Sequence, residues 1–160
     1  MPATYDKIAT TTFTTNGSLS FTSIPSSYTD LKLILVGTLA TTGGLSFRYN
    51  NDSTALYSFL TLTGSGTAAS SGAAASQTEL AASNNNFYST PPQLITIDIF
   101  SYAGSTFKTC LIEDTQDRNG NGTLERQVGL YRSTTAISRI DFQGTLATGT
   151  MATLYGILKA

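Results

Sequence analysis

The residues best suited to hold a metal ion form the segment Asp117-Arg118-Asn119-Gly120-Asn121-Gly122. Oxygen-bearing side chains occupy its first, third and fifth positions and glycine its sixth, as in a calcium-binding loop. The twelfth position, where such a loop carries a bidentate glutamate, is Val128, and Glu125 falls in a predicted strand. We therefore interpret the segment as an Asn/Gly turn between two strands, and we expect no metal ion and no cofactor.

A second polar group, Asn50, Asn51 and Asp52 followed by Tyr57, has the composition of a sugar-binding site. Amide and carboxylate oxygens bind sugar hydroxyls, and an aromatic ring offers an apolar surface beside them. The same residue types also form turns, because Asn and Asp side chains hydrogen-bond the backbone two residues further on. The turn is the favoured interpretation, and an exposed glycan site is the alternative.

Catalytic chemistry has little support in the composition. The chain contains no histidine and one cysteine, and only 12% of its residues are charged. Cys110 lacks the histidine that usually activates a thiol, so we predict a buried, unreactive strand residue. Glu113, Asp114, Asp117 and Glu125 lie close enough in sequence for a glycosidase pair, but the chain has no tryptophan to line a sugar cleft. We predict that the protein is not an enzyme.

The elements that must position these residues are β-strands. Apolar residues alternate with Ser and Thr in short segments, and this period of two is typical of half-buried strands. Frequent turn residues separate the segments, which favours one domain over residues 1–160 with an all-β, antiparallel β-sandwich of jelly-roll type. The ten predicted strands span residues 5–14, 18–24, 30–38, 45–50, 55–63, 94–100, 106–113, 124–132, 136–143 and 151–158.

Two further local patterns concern how the strands connect. Asn16-Gly17 between the first two predicted strands predicts a hairpin with a type I′ turn. The sequence Gly-Thr-Leu-Ala-Thr occurs twice, at residues 37–41 and 144–148, each time after a strand. In a threonine-rich chain without a periodic repeat, we attribute this recurrence to coincidence rather than to a duplicated strand-exit device.

Residues 64–92 break the alternation, because they are rich in Gly, Ala and Ser and end near Pro91-Pro92. We predict a long surface loop here, with one short helix near residues 77–82. Two interpretations of this loop stay open, a segment that lies flat against another protein and a flexible excursion without a partner. For residues 1–5 there are two interpretations, an arm exchanged between subunits and a frayed terminus, which is the commoner case for short ends. The loop residues expected to contact a capsid or a second subunit are Gly66, Ser70, Ser71, Ala74, Gln77, Asn84 and Asn85.

Charge and hydropathy narrow the choice of partner. The net charge is −1, so no basic surface for nucleic acid is expected. No apolar run is long enough to cross a membrane as a helix, and the first 20 residues have no export-signal pattern. We therefore expect synthesis in the cytoplasm and no membrane partner.

Several blocks of sequence resemble a group of small virion proteins of tailed phages, notably cyanobacterial and marine phages. The resemblance extends over nearly the whole chain except residues 64–92. The blocks are residues 5–12, residues 21–25 leading into 28–31, residues 47–52 with 57–58, and residues 154–157. The resemblance implies a non-enzymatic β-sandwich on the capsid surface or within a tail or fibre, and it implies no catalytic residue.

The composition and the resemblance lead to the same expected function. The leading hypothesis is a capsid cement or decoration protein, a homo-oligomer expected to be a trimer, that binds the major capsid protein and stabilises the shell. The alternative is a receptor- or glycan-binding module of a tail or fibre, which would use Asn50, Asn51, Asp52 and Tyr57.

Overall fold

The computed structural model of the chain describes residues 4–158, and of Asn85 it describes the backbone alone. This part of the chain is built from β-strands and contains no helix. The twelve strands are β1 (Tyr5–Thr12), β2 (Ser20–Phe21), β3 (Asp30–Gly37), β4 (Gly43–Tyr49), β5 (Tyr57–Gly64), β6 (Ala69–Gln77), β7 (Leu80–Phe87), β8 (Gln93–Phe100), β9 (Lys108–Gln116), β10 (Thr123–Tyr131), β11 (Ile140–Gln143) and β12 (Met151–Ile157).

The strands form two antiparallel sheets that pack into a sandwich, which confirms the predicted fold class. The larger sheet has eight strands in the order β1-β12-β3-β8-β9-β10-β5-β6, and the smaller has four in the order β2-β11-β4-β7. The hairpins β5–β6 and β9–β10 extend the larger sheet. Without these hairpins, each sheet holds four strands, ordered β1-β12-β3-β8 and β2-β11-β4-β7, and β1–β2, β3–β4, β7–β8 and β11–β12 are consecutive pairs divided between the sheets.

The alternation read from the sequence places one face of the central strands in the core. In β3, Leu31, Leu33 and Leu35 are fully buried, and β8 contributes a matching row of isoleucines. Aromatic residues of β4 and β11, among them Phe47 and Phe142, complete the same cluster from the smaller sheet. Removing these side chains from water supplies the main driving force for packing the two sheets.

The long surface loop predicted for residues 64–92 is wrong, because most of this segment forms two strands. Residues 69–77 are β6, which pairs along its length with β5, and residues 80–87 are β7, which pairs with β4. The helix expected near residues 77–82 is also wrong, since β7 begins there and buries Leu80. Backbone pairing needs no large side chain, so strands of Ala, Ser and Gly form when a neighbouring strand offers its edge.

The hairpin expected at Asn16-Gly17 is wrong as well. Strand β1 pairs with β12 and β2 pairs with β11, so the two strands flanking this turn belong to different sheets. Gly17 forms a bridge with Leu146, and the Asn16 side chain accepts a hydrogen bond from the Thr148 backbone at 3.1 Å.

The two Gly-Thr-Leu-Ala-Thr segments lie side by side. Leu39 and Leu146 form an antiparallel bridge, and the Ala40 N–H donates to the Thr145 carbonyl at 2.9 Å. Ala147 in turn donates to the carbonyl of Thr38 at 2.9 Å. One segment leaves β3 of the larger sheet and the other leaves β11 of the smaller sheet, so this pairing ties the two sheets together.

Candidate functional site

Between Leu124 and Val128, strand β10 exposes two apolar residues and buries two polar ones. Leu124 is 61% exposed and Val128 is 43% exposed, whereas Glu125 and Gln127 between them are 3% and 1% exposed. Soluble sandwiches normally place the apolar residues of a strand towards the core. This inverted orientation gives β10 an apolar outer face that a partner could contact. It also places polar side chains in the interior of the sandwich.

Neighbouring strands continue the apolar surface on the outside of the larger sheet. Leu60 of β5 stands opposite Val128, and both Leu60 and Leu62 are about as exposed as Leu124. Leu111 of β9 lies opposite Val128 on the other side. We call Leu60, Leu62, Leu111, Leu124 and Val128 the outer apolar patch. Contiguous exposed apolar patches on soluble proteins mark interaction sites.

Two clefts lie on this patch. The larger, about 460 Å³, is lined by Leu60, Leu62, Leu111 and Val128, with Ser71 of β6 at its side. The smaller, about 260 Å³, is lined by Leu62, Leu124 and Ala69 among others. Arg126 borders both clefts and pairs with Glu113 at 3.4 Å, so one exposed ion pair crosses an otherwise apolar surface.

Strand β6 forms the free edge beside the patch. Within residues 4–158 it pairs only with β5, so its other edge offers unpaired N–H and C=O groups. Residues 65–78 contain no charged residue and no proline, the features by which natural edge strands usually prevent further pairing. This edge can therefore accept an added strand from a partner.

The predicted contact residues divide between two locations. Gly66, Ser70, Ser71, Ala74 and Gln77 lie on β6 or on the turn before it, at the free edge. Asn84 lies on β7 in the other sheet, and its amide donates to Gln127 Oε1 at 3.0 Å. Asn85 shares that strand, and its side chain lies outside the described part of the structure. The first five belong to one surface, and Asn84 is partly engaged with the sandwich interior.

The predicted glycan site is not an exposed site, because Tyr57 is fully buried. The Tyr57 hydroxyl donates to the Asp52 carbonyl at 3.0 Å and accepts from the Tyr49 N–H at 3.1 Å. Asn50 accepts from the backbone of Ser138 at 2.9 Å, so it fastens the chain between β10 and β11. Asn51 is exposed, but the aromatic ring that the sugar hypothesis places beside it, that of Tyr57, is buried.

Asp52 serves the same local structure. Its carboxylate accepts from the Thr54 N–H at 2.9 Å and from the Tyr131 hydroxyl at 2.7 Å. Hydrogen bonds led by that from the Thr54 hydroxyl lower the pKa of Asp52. The residue therefore stabilises the turn that precedes β5, beside Tyr57 and Tyr131, as the favoured interpretation predicted.

The four clustered carboxylates point in different directions. Glu113 faces out towards Arg126, and Asp114 and Glu125 face each other across β9 and β10 inside the sandwich. Burial raises the pKa of Asp114 to about 6, an effect that Ser83 opposes and Glu125 adds to. Glu113 and Glu125 lie on opposite faces of the sheet, so they cannot flank one glycosidic bond.

Asp117 belongs to the turn between β9 and β10. Its Oδ1 accepts from the Gly120 N–H at 2.7 Å, and both Asn119 and Gly120 have positive φ, as a tight turn requires. A cleft of about 440 Å³ lies between this turn and the one joining β5 to β6, with Gln116 and Thr123 in its lining.

The arm predicted at residues 1–5 falls largely outside the described residues. Tyr5, its last member, is the first residue of β1 and pairs with Ile157, so this end of the segment belongs to the body of the sheet.

Cys110 is buried on the inner face of β9, and burial raises its pKa to about 11. We expect its reaction with a thiol reagent at pH 8 to be at least about 100-fold slower in the native protein than in urea, because the thiolate forms only when the sandwich opens. Absorbance during labelling with a chromogenic disulfide measures both rates. Equal rates would contradict the buried position.

No protein-family model matches the chain, and no curated protein or solved structure matches it either. Among residues 4–158, no helix has the length and apolar character needed to span a membrane.

Proposed function

We propose that this chain is a structural protein of a phage virion that decorates the capsid surface and binds the major capsid protein through the outer apolar patch. The observation that carries the proposal is the inverted orientation of β10, which exposes Leu124 and Val128. An apolar surface of this kind is stable in water when a partner covers it. A ligand that binds only the assembled shell stabilises that shell by mass action, against the pressure of the packed DNA.

The strand order supports the finer assignment of the sandwich to the jelly-roll type. The orders β1-β12-β3-β8 and β2-β11-β4-β7 divide consecutive strands between the two sheets, as paired Greek keys do. Jelly rolls occur in viral capsid proteins and in lectins, so this topology is compatible with both the capsid hypothesis and the receptor-binding alternative. The two hypotheses therefore differ in the surface that they use and not in the fold.

The free edge of β6 supports the proposed self-association into a trimer. Backbone groups at an uncharged edge pair readily with a strand from another subunit. A ring of three would need each β6 to meet a different surface of the next copy. Light scattering of the free protein measures the mass: three chains support the trimer, and a single chain contradicts it.

The capsid assignment predicts that charge on the outer apolar patch abolishes binding to heads. Replacing both Leu60 and Leu62 with glutamate should weaken binding at least about 100-fold, because two apolar contacts are lost and two charges must leave water. The melting temperature should change little, since both side chains are exposed. Binding is measured by incubating purified protein with particles assembled without it and labelling them with gold-conjugated antibody.

Phe107→Glu is the matched control, because Phe107 is an exposed apolar residue outside the patch. Uniform label on heads with the wild type and the control, and none with the double variant, supports the proposal. Equal head label with the double variant would exclude the patch as the capsid contact. Label confined to tails would instead favour the receptor-binding alternative.

A further inference from the structure

The interior beneath β7 is rich in polar side chains. Asp114 and Glu125 are direct cross-strand partners on β9 and β10, and both point inward with only 1% and 3% of their surface exposed. Gln116, two residues further along the same face of β9, is 7% exposed. Residues directly opposite each other on adjacent strands have Cβ atoms about 5 Å apart, so the two carboxyl groups share one small space.

Three buried oxygens on the inner face of β9 have no hydrogen bond of good geometry, namely Oδ1 and Oδ2 of Asp114 and Oε1 of Gln116. The Ser83 hydroxyl of β7 approaches Asp114 and lowers its pKa, but this interaction does not offset the effect of burial. Thr61 of β5 donates to Glu125 Oε1 at 3.1 Å. Buried oxygens without donors are unfavourable, so native structures normally provide them with a proton, a water or a cation.

The Asp114 carboxylate gains no compensation from a positive side chain of the described residues. The ion pairs found there are Lys32–Asp98, Arg48–Glu79, Arg126–Glu113 and Arg139–Asp141, and Asp114 takes part in none of them. Beyond the effect of burial, the facing carboxylate of Glu125 raises the pKa of Asp114 further, and removing the Asp114 carboxylate from water is unfavourable without an opposite charge.

We propose that Asp114, Glu125 and Gln116 form a calcium-binding site between the two sheets. The available donors are all hard oxygens, two carboxylates and one amide carbonyl, which is the set that calcium prefers. The described residues contain no cluster of three or more acidic or cysteine side chains, so the remaining ligands would be neutral oxygens, and the Ser83 hydroxyl lies close to Asp114. Calcium accepts such mixed sets of six to eight oxygens, whereas magnesium requires a stricter octahedron.

Gln116 and Thr123 also line the cleft of about 440 Å³ beside the β9–β10 turn. The Gln116 amide nitrogen donates to the Thr123 hydroxyl at 2.9 Å and to the Asn86 carbonyl at 3.4 Å, so the amide oxygen is the atom left for a cation. Asp117 stands at the same cleft, but its Oδ1 already accepts a hydrogen bond from Gly120. The proposed site therefore does not include the turn.

The test is calcium titration of the full chain after treatment with a chelator. We expect isothermal titration calorimetry to give one site per chain, and 1 mM calcium to raise the melting temperature by about 5 °C. Asp114→Asn and Glu125→Gln keep the shape of each side chain and should each remove both responses. Glu113→Gln alters the neighbouring residue on the outer face and should respond as the wild type does.

Three results would overturn the proposal. One is the absence of binding heat and of a melting shift for the wild type at 10 mM calcium. Another is an unchanged response in Asp114→Asn or, if that variant does not fold, in Glu125→Gln. The third is a response lost in Asp117→Asn but retained in Asp114→Asn, which would place the ion in the β9–β10 turn.

Discussion

Replacing Tyr57 with alanine is expected to lower the free energy of unfolding by about 4 kcal/mol, the usual loss for truncating a buried aromatic ring. The Tyr57 ring is fully buried and stacks on Tyr131 with ring centroids 4.7 Å apart, while Tyr49 packs beside both. Truncation would leave a cavity among these rings and would also remove the hydroxyl that bonds the Asp52 and Tyr49 backbones.

Urea denaturation followed by circular dichroism measures this loss. Tyr57→Phe is the matched control, because it keeps the ring and deletes only the hydroxyl, and it should lose about 1 kcal/mol. If the free energy of unfolding of Tyr57→Ala lay within about 1 kcal/mol of the wild-type value, Tyr57 would not be part of the core. The glycan hypothesis, which requires an exposed Tyr57, would then gain support.

The second large effect is expected at Gly37, the last residue of β3. A Cβ atom there would overlap the side chain of Thr150, which is buried and can move only with its backbone. The Thr150 hydroxyl accepts from the Thr38 N–H at 3.1 Å and donates to the Thr38 carbonyl at 3.0 Å. Gly37→Ala should therefore lose about 3 kcal/mol, through overpacking and through the broken hydrogen bonds.

Thermal unfolding of Gly37→Ala and of Gly44→Ala separates this clash from the general effect of adding a methyl group. Gly44 lies in β4, and a methyl group added there would have no other atom within 4 Å, so its variant should melt close to the wild type. Equal melting temperatures for the two variants would mean that Thr150 can move aside without any loss of stability. The contact between Gly37 and Thr150 would then not stabilise the end of β3.

The fold class could be predicted because the central strands keep a simple pattern. In β3 and β8 every second residue is a leucine or isoleucine, and all ten predicted strands are present with shifted ends. Strands β6 and β7 could not be found in the same way. The Ala and Ser residues of β6 are stabilised by backbone pairing with β5, and such pairing leaves no hydrophobic alternation in the sequence.

The pairing of strands was less predictable than their existence. Asn16-Gly17 is a strong local hairpin signal, yet β1 pairs with β12, more than a hundred residues away. The preference of Asn16-Gly17 for a hairpin is overridden because the antiparallel pairing with β12 provides hydrogen-bond partners for the backbone groups of the whole of β1. A single sequence carries no direct record of such distant partners.

The outer apolar patch could not be predicted because its strands bury the face that the usual rule would leave exposed. In β10, Leu124 and Val128 face outward and Glu125 faces inward, whereas the usual rule places apolar residues inside. A usable signal was nevertheless present in β5, where Tyr57 and Phe59 occupy one face and Leu60 and Leu62 the other. A strand that is apolar on both faces needs a cover on each side.

The position of β12 between β1 and β3 has a consequence for how the protein is made. β12 is the last of the twelve strands to be synthesised, and until it emerges, β1 has no strand to pair with and β3 lacks one of its two neighbours. The larger sheet can therefore close only after translation of the sandwich is complete, by slow, long-range pairing. During that delay we expect the apolar rows of β3 and β8 to be incompletely covered, which exposes the unfinished chain to aggregation.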